Sequence, residues 1–208
     1  MADIFDEVNE DLKRDQMQKL WSRFGKYVIL GVSIVVIGVG GRQGYTTWQG
    51  HQAATAANAY HNALGASNLK TALTAELGQL SSGYAMLAKF RIAAAEALAE
   101  DYSAAEASYL ALSNDPAVKK LYQQAALLLS VMNAPVNRSA DELATRLAVL
   151  EGQAGPWQGM ALEQAAGLAL RAGDRKTAIA KYTTLASLSD IPPGVRERAG
   201  QMLKILNK

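Results

Sequence analysis

The chain of 208 residues has no cysteine, so it forms no disulfide, presents no thiolate nucleophile and binds no zinc through sulfur. This absence fits a reducing cytosol and an oxidising periplasm equally and leaves the compartment open. Histidine is nearly absent: His51 and His61 are the only two. Ten residues apart on one helix they would be turned about 280° from each other, so they do not share a face on which to hold a metal. An excess of one charge is also missing. The net charge is +2, and no stretch interleaves Lys or Arg with aromatics, which argues against a nucleic-acid surface. There is no Gly-x-Ser-x-Gly elbow, Walker A loop or His-Glu-x-x-His, and Gly38-Val-Gly40-Gly41 lies inside an apolar run rather than between a strand and a nucleotide-binding helix. Glu96, Glu100 and Asp101 read as the end of a helical hairpin, and Glu197 between Arg196 and Arg198 as a solvated face. No enzyme activity, cofactor, metal site or small-molecule substrate is therefore expected. Strand alternation is absent, and Val, Ile and Phe are sparse outside residues 28–39.

What is present is Ala and Leu, which carry most of a 50% hydrophobic share and favour helix. The expectation is an all-α protein with one sizeable core.

One segment stands apart. Tyr27 to Gly41, between Lys26 and Arg42, runs fifteen residues without a charge. As a helix it spans roughly 22 Å, short of the roughly 30 Å hydrocarbon core of a bilayer. The deficit closes if Lys26 and Arg42 extend their charged ends outward, with Trp21, Phe24 and Tyr27 marking one interface and Tyr45 and Trp48 the other. Trp21 to Trp48 is roughly 40 Å of helix, near the full thickness including the interfacial layers. A cleaved signal peptide competes with this reading. Against it stand the long, acid-containing segment before the run and the distance to the first small-x-small site, Ala54-Thr55-Ala56. An uncleaved signal anchor is expected. Lys13, Arg14, Lys19, Arg23 and Lys26 precede the run and only Arg42 follows closely, so the N-terminus should be cytoplasmic and the rest of the chain periplasmic in a bacterium. Gly40 and Gly44 form a Gly-x-x-x-Gly pair of the kind that lets helices approach, although glycine is common in membrane helices anyway. Before the run, Ile4, Phe5, Val8, Leu12, Leu20, Trp21 and Phe24 recur with helical spacing. That stripe either lies on the inner leaflet or docks a cytoplasmic partner.

After Trp48 the spacing predicts helices near 51–66, 68–81, 84–99, 103–113, 117–132, 139–151, 157–172, 175–187 and 193–206. They are separated by Gly83, Asn114-Asp115-Pro116, Asn133-Ala-Pro135, Gly152 to Pro156, Gly173-Asp174 and Pro192-Pro193-Gly194. Ser139 with Glu142 makes a capping box. Short turns between such helices require antiparallel neighbours, in a bundle or a stack of hairpins. Internal repetition favours the stack. Asp101-Tyr-Ser-Ala-Ala105-Glu-Ala-Ser-Tyr109 and Gly173-Asp174-Arg-Lys-Thr-Ala178-Ile-Ala-Lys-Tyr182 share a turn, then an Ala four residues before a Tyr. A degenerate copy is read at Ala144 and Leu147. The small residue allows close helix approach and the aromatic fills the next groove, a pattern that resembles the second half of a tetratricopeptide repeat. The organisation expected is a tail (1–26), a transmembrane signal-anchor helix (27–48) and a tetratricopeptide-like helical-hairpin repeat domain (49–208).

The order of features resembles one family in particular. A membrane helix leaving through Gly44-Tyr45-Thr-Thr-Trp48-Gln-Gly-His51-Gln52, then Ala59-Tyr60-His-Asn62-Ala63, then Gly155-Pro156-Trp157 before the Gly173-Asp174 repeat are similar to the YfgM-like ancillary subunits of the bacterial Sec translocon. The resemblance runs from about Lys26 onward; the first 25 residues differ from that pattern. It implies a periplasm-facing helper at the inner membrane, with Sec translocon subunits, periplasmic chaperones or exported clients as protein partners. Residue pattern alone gives an anchored interaction domain, which an envelope scaffold organising a cell-wall or division complex would satisfy equally.

Overall fold

The computed structural model describes residues 3–208, with side chains described for Met17 and from Trp21 onward apart from Val28 and Val32. The apolar stripe at Ile4, Phe5, Val8, Leu12 and Leu20, and the basic side chains Lys13, Arg14 and Lys19, fall outside the described side chains. Among the described residues there are helices and no strands. The order is α1 (Asp3–Leu64), α2 (Leu69–Glu76), α3 (Ser82–Leu98), α4 (Tyr102–Asn114), α5 (Lys120–Met132), α6 (Ala140–Glu151), α7 (Gln158–Arg171), α8 (Arg175–Ser187) and α9 (Pro193–Leu206). The chain forms two compact units, one ending at Thr55 and one from Ala56 to Lys208.

α1 is a single helix of 62 residues, with no break between the apolar run and the helix expected from 51. Gly44 and Gly50 are the helix-weakening glycines there, and the break expected before 51 rests on Gly50. That glycine costs about 1 kcal/mol relative to Ala, too little to interrupt a helix already nucleated on both sides and followed by Ala53-Ala54.

In the second unit the helices form successive antiparallel pairs: α3 with α4, α5 with α6, α7 with α8, closed by α9. Two of the three hairpins turn in the same way. At α3–α4 the amide of Asp101 donates to the Glu96 carbonyl and that of Glu100 to Ala97; at α7–α8 Asp174 donates to Ala169 and Gly173 to Leu170. This closure needs a left-handed residue, filled by Glu100 at φ 61° in one turn and Gly173 at φ 80° in the other. The aspartate that follows then caps the next helix: Asp101 Oδ1 accepts from the Ala104 amide at 3.1 Å and Asp174 Oδ1 from Thr177 at 2.9 Å. The middle hairpin has a longer turn, residues 133–139, and its helices touch over a smaller area than their neighbours do.

Local chemistry moves several expected boundaries. Gly83 lies in the first turn of α3, and the break falls at 77–81 instead. Residues 117–119 stay outside α5 because Asp115 turns back on them: its carboxylate accepts from Ala117 at 2.9 Å and its carbonyl from Val118 at 3.0 Å. The capping box is half formed. Ser139 Oγ accepts from the Glu142 amide at 3.5 Å, while the Glu142 carboxylate pairs with Arg146 one turn on.

The core is serial. One cluster joins the end of α1 with α2 and α3 (Ala63, Leu73, Ile92), a second spans α3 to α5 (Ala93, Tyr109, Ala126), a third α5 to α7 (Leu128, Leu147, Ala165), and a fourth α7 to α9 (Ala166, Tyr182, Ala199). Each hairpin buries its apolar face against the next, as in a quasi-one-dimensional repeat array.

Candidate functional site

Two regions carry the functional expectations. The first is the apolar part of α1. Ile29, Leu30, Ile34, Val35, Val36, Ile37 and Val39 are all more than half exposed, and only 6% of the most apolar 18-residue window is buried. A core helix of a soluble domain would bury such residues; here they form a continuous uncovered apolar surface. This helix is long and apolar enough to cross a membrane. Its flanks are organised locally. The Trp21 indole lies against Gly25, the Arg23 guanidinium sits 5.8 Å from the Phe24 ring, and the Lys26 ammonium 5.2 Å from the Tyr27 ring. At the other end Tyr45 and Trp48 stack at 6.2 Å, and Gln49 donates to the Tyr45 hydroxyl at 2.9 Å. Arg42 marks the end of the uncharged run on this side. His51 and His61 are both exposed.

The second region is the interior of the repeats. Ala105 and Tyr109 occupy the fourth and eighth positions after the cap of α4 and are buried at 0% and 4% exposure. Ala178 and Tyr182 hold the same positions in α8, at 0% and 6%. In α6, counted from Ser139, the equivalents are Leu143 and Leu147, both buried, while Ala144 is half-buried at the edge of the cluster. The residue at the close-packing position is therefore Leu143 rather than Ala144. A leucine thus stands at the position where the other two hairpins have alanine.

Charged side chains tie the hairpins where apolar contact is thin. Glu106 of α4 is buried and takes three hydrogen bonds: from Arg138 Nη2 at 2.6 Å, Arg138 Nε at 3.1 Å and Arg146 Nη1 at 2.6 Å. Burial pushes the Glu106 carboxyl up, but the two guanidinium groups outweigh it and hold the group below the ordinary carboxylate range. Arg171 of α7 joins this cluster by donating to the Arg138 carbonyl at 2.8 Å. Glu96, read as part of a hairpin end, lies in the last turn of α3, is buried, and accepts from Lys70 of α2 at 2.8 Å and Ser108 of α4 at 2.6 Å. Lys181 of α8 pairs with Glu151 of α6, and Arg198 of α9 makes a fork on Glu163 of α7 at 2.7 and 2.8 Å. Glu197, the centre of the expected solvated face, is exposed and accepts from Gln201 at 3.3 Å. Glu96, Glu106, Glu151 and Glu163 are thus each matched to a cation on another element, an arrangement that fixes helix positions. Glu106 was legible in one respect: it lies three residues before Tyr109, on the buried stripe of α4.

Comparison with curated proteins finds no match, and comparison with solved structures finds none. Residues 18–201, which include both the apolar helix and the paired helices, match the tetratricopeptide repeat-like domain, and the chain belongs to that family.

Proposed function

We propose that this chain is a membrane-anchored periplasmic adaptor of the bacterial inner membrane, associated with the Sec translocon and binding periplasmic chaperones or exported clients through its repeats. The observation that carries the anchored reading is the uncovered apolar surface of α1, flanked by Trp21 and Lys26 on one side and Arg42, Tyr45 and Trp48 on the other. The concentration of Lys and Arg before the run supports a cytoplasmic N-terminus. Tetratricopeptide-like repeats support protein partners, and the family match, which begins at residue 18, takes in the apolar run together with the repeats. The resemblance from Lys26 onward to YfgM-like ancillary subunits supports the translocon as the site of action. The pairing of the buried carboxylates with cations on other helices supports a role in binding rather than turnover.

Photocrosslinking in living cells, from probes at Trp48 and on the repeats, tests this reading. It predicts channel subunits from the Trp48 probe and periplasmic chaperones or exported chains from the repeats. Products confined to cell-wall or division enzymes would replace it with the envelope-scaffold reading.

A further inference from the structure

Four consecutive residues where α5 begins, Lys119-Lys120-Leu121-Tyr122, are exposed, with Leu121 at 46% and Tyr122 at 40%. Val118 before them and Ala125 after them are buried and hold the turn in place. Neither lysine pairs with a carboxylate among the described residues. Asp115 and Glu151, at the two adjoining helix ends, are taken by Lys89 and Lys181. Cations are disfavoured at a helix start, so the stability of α5 does not account for the two lysines. Trp157, half-buried ahead of α7, lies beside this turn, its indole N–H donating to the Leu121 carbonyl at 3.0 Å. The result is a surface corner with two unpaired ammonium groups, an exposed leucine and two aromatics.

This corner lies at the end of the repeat unit where the chain enters it. Ala56 is buried in one cluster with Leu80, and the Tyr60 ring lies 5.5 Å from that of Tyr84, so the incoming chain runs beside the start of α3. Lys89, on the same half of α3, reaches Asp115, which opens the turn into α5, at 2.8 Å. Trp48 precedes Ala56 by eight residues. Even fully extended, that length of chain spans no more than about 29 Å. We propose that in the anchored chain the corner binds the anionic headgroups of a lipid bilayer: Lys119 and Lys120 meet phosphates, and Leu121, Tyr122 and Trp157 meet the interfacial layer. Two lysines hold an anionic surface only weakly from solution, but the short tether keeps that surface within reach, so a weak contact is enough. The proposal rests on the anchored reading and deepens it by giving the repeat unit its own contact with the membrane.

Because the chain has no cysteine, a single fluorophore can be placed at will. The test uses the full chain in nanodiscs of phosphatidylcholine, with or without phosphatidylglycerol. The label is attached at Leu121→Cys, at Val36→Cys in the apolar run, or at Val136→Cys, an 87% exposed residue in the α5–α6 turn. Doxyl-labelled lipid should quench the label at Val36 in both kinds of nanodisc. With phosphatidylglycerol present it should also quench Leu121, but not Val136. Quenching at Leu121 should vanish in phosphatidylcholine alone and in about 1 M salt, where charges are screened beyond roughly 3 Å. Lys119→Gln together with Lys120→Gln should lower the ratio of docked to free label by about tenfold or more. Quenching at Leu121 that is absent, that is matched at Val136, or that survives the loss of both lysines would overturn the assignment. So would self-quenching between Leu121 labels in place of quenching by lipid, which marks a second copy as the occupant. If Val36 is quenched and Leu121 is not, the corner fails and the anchored reading stands; if Val36 is not quenched, the anchored reading fails and takes the corner with it.

Discussion

Glu106 is the buried charged side chain that ties the middle of the stack. It brings a carboxylate into the interior between α4 and α6 and meets two arginines from different segments. Glu106→Ala would leave both guanidinium groups without their buried partner and should cost about 2 kcal/mol in chemical denaturation, less than for a fully enclosed pair because Arg138 is partly exposed. The pH dependence follows from its lowered titration point. The folded value lies below the unfolded one, so the contribution is complete above the unfolded value of about 4.3 and is lost as pH falls through the folded value. The stability difference between the wild type and Glu106→Gln should therefore shrink on acidification below about pH 4, measured by urea titration at several pH values. Backbone conformation gives a second expectation. Glu100 occupies the left-handed position that Gly173 occupies in the other turn, so Glu100→Gly should stabilise by about 0.5–1 kcal/mol and Gly173→Ala destabilise by about 1 kcal/mol or more. The Gly173-Asp174 turn was readable because glycine announces it. The Glu100 turn was readable only through Asp101, since nothing in a glutamate signals a positive φ.

At the scale of elements, α2 to α9 were largely legible, because their caps and breakers are chemically plain: Asn68, Asp101, Ser139 and Asp174 each accept a backbone amide at a helix start. Expectation and structure part where a signal has two uses. Gly83 reads as a break but is tolerated inside a helix, and Asp115-Pro116 makes a turn whose side-chain bond delays α5. The middle repeat shows how a small register error arises. Ala144 looks like the small residue of the motif, yet the cap at Ser139 places Leu143 at that position. Leu143→Ala should cost about 2–4 kcal/mol in thermal or urea unfolding, whereas Ala144→Ser should stay within about 0.5 kcal/mol. Equal effects at the two positions would contradict the register. At Ala178, which is fully buried, the reverse change Ala178→Leu should destabilise by about 1–3 kcal/mol through overpacking.

For the whole molecule, repeat periodicity and one apolar run were enough to read the architecture, and the family match over residues 18–201 agrees with it. The inter-hairpin ties were less legible, because Glu106 and Arg146 are 40 residues apart and only the fold brings them together. The apolar face of α1 is uncovered and long enough to cross a membrane, and the repeats are of a kind that mediates protein–protein interaction. The proposed adaptor reconciles them by fixing the binding unit at the periplasmic face of the membrane. Proteolysis of intact spheroplasts tests that claim most directly. The account predicts that added protease digests the repeat domain and leaves a small membrane-protected N-terminal fragment containing the apolar run of α1. Full protection of the repeats in spheroplasts, with digestion only after lysis, would contradict it.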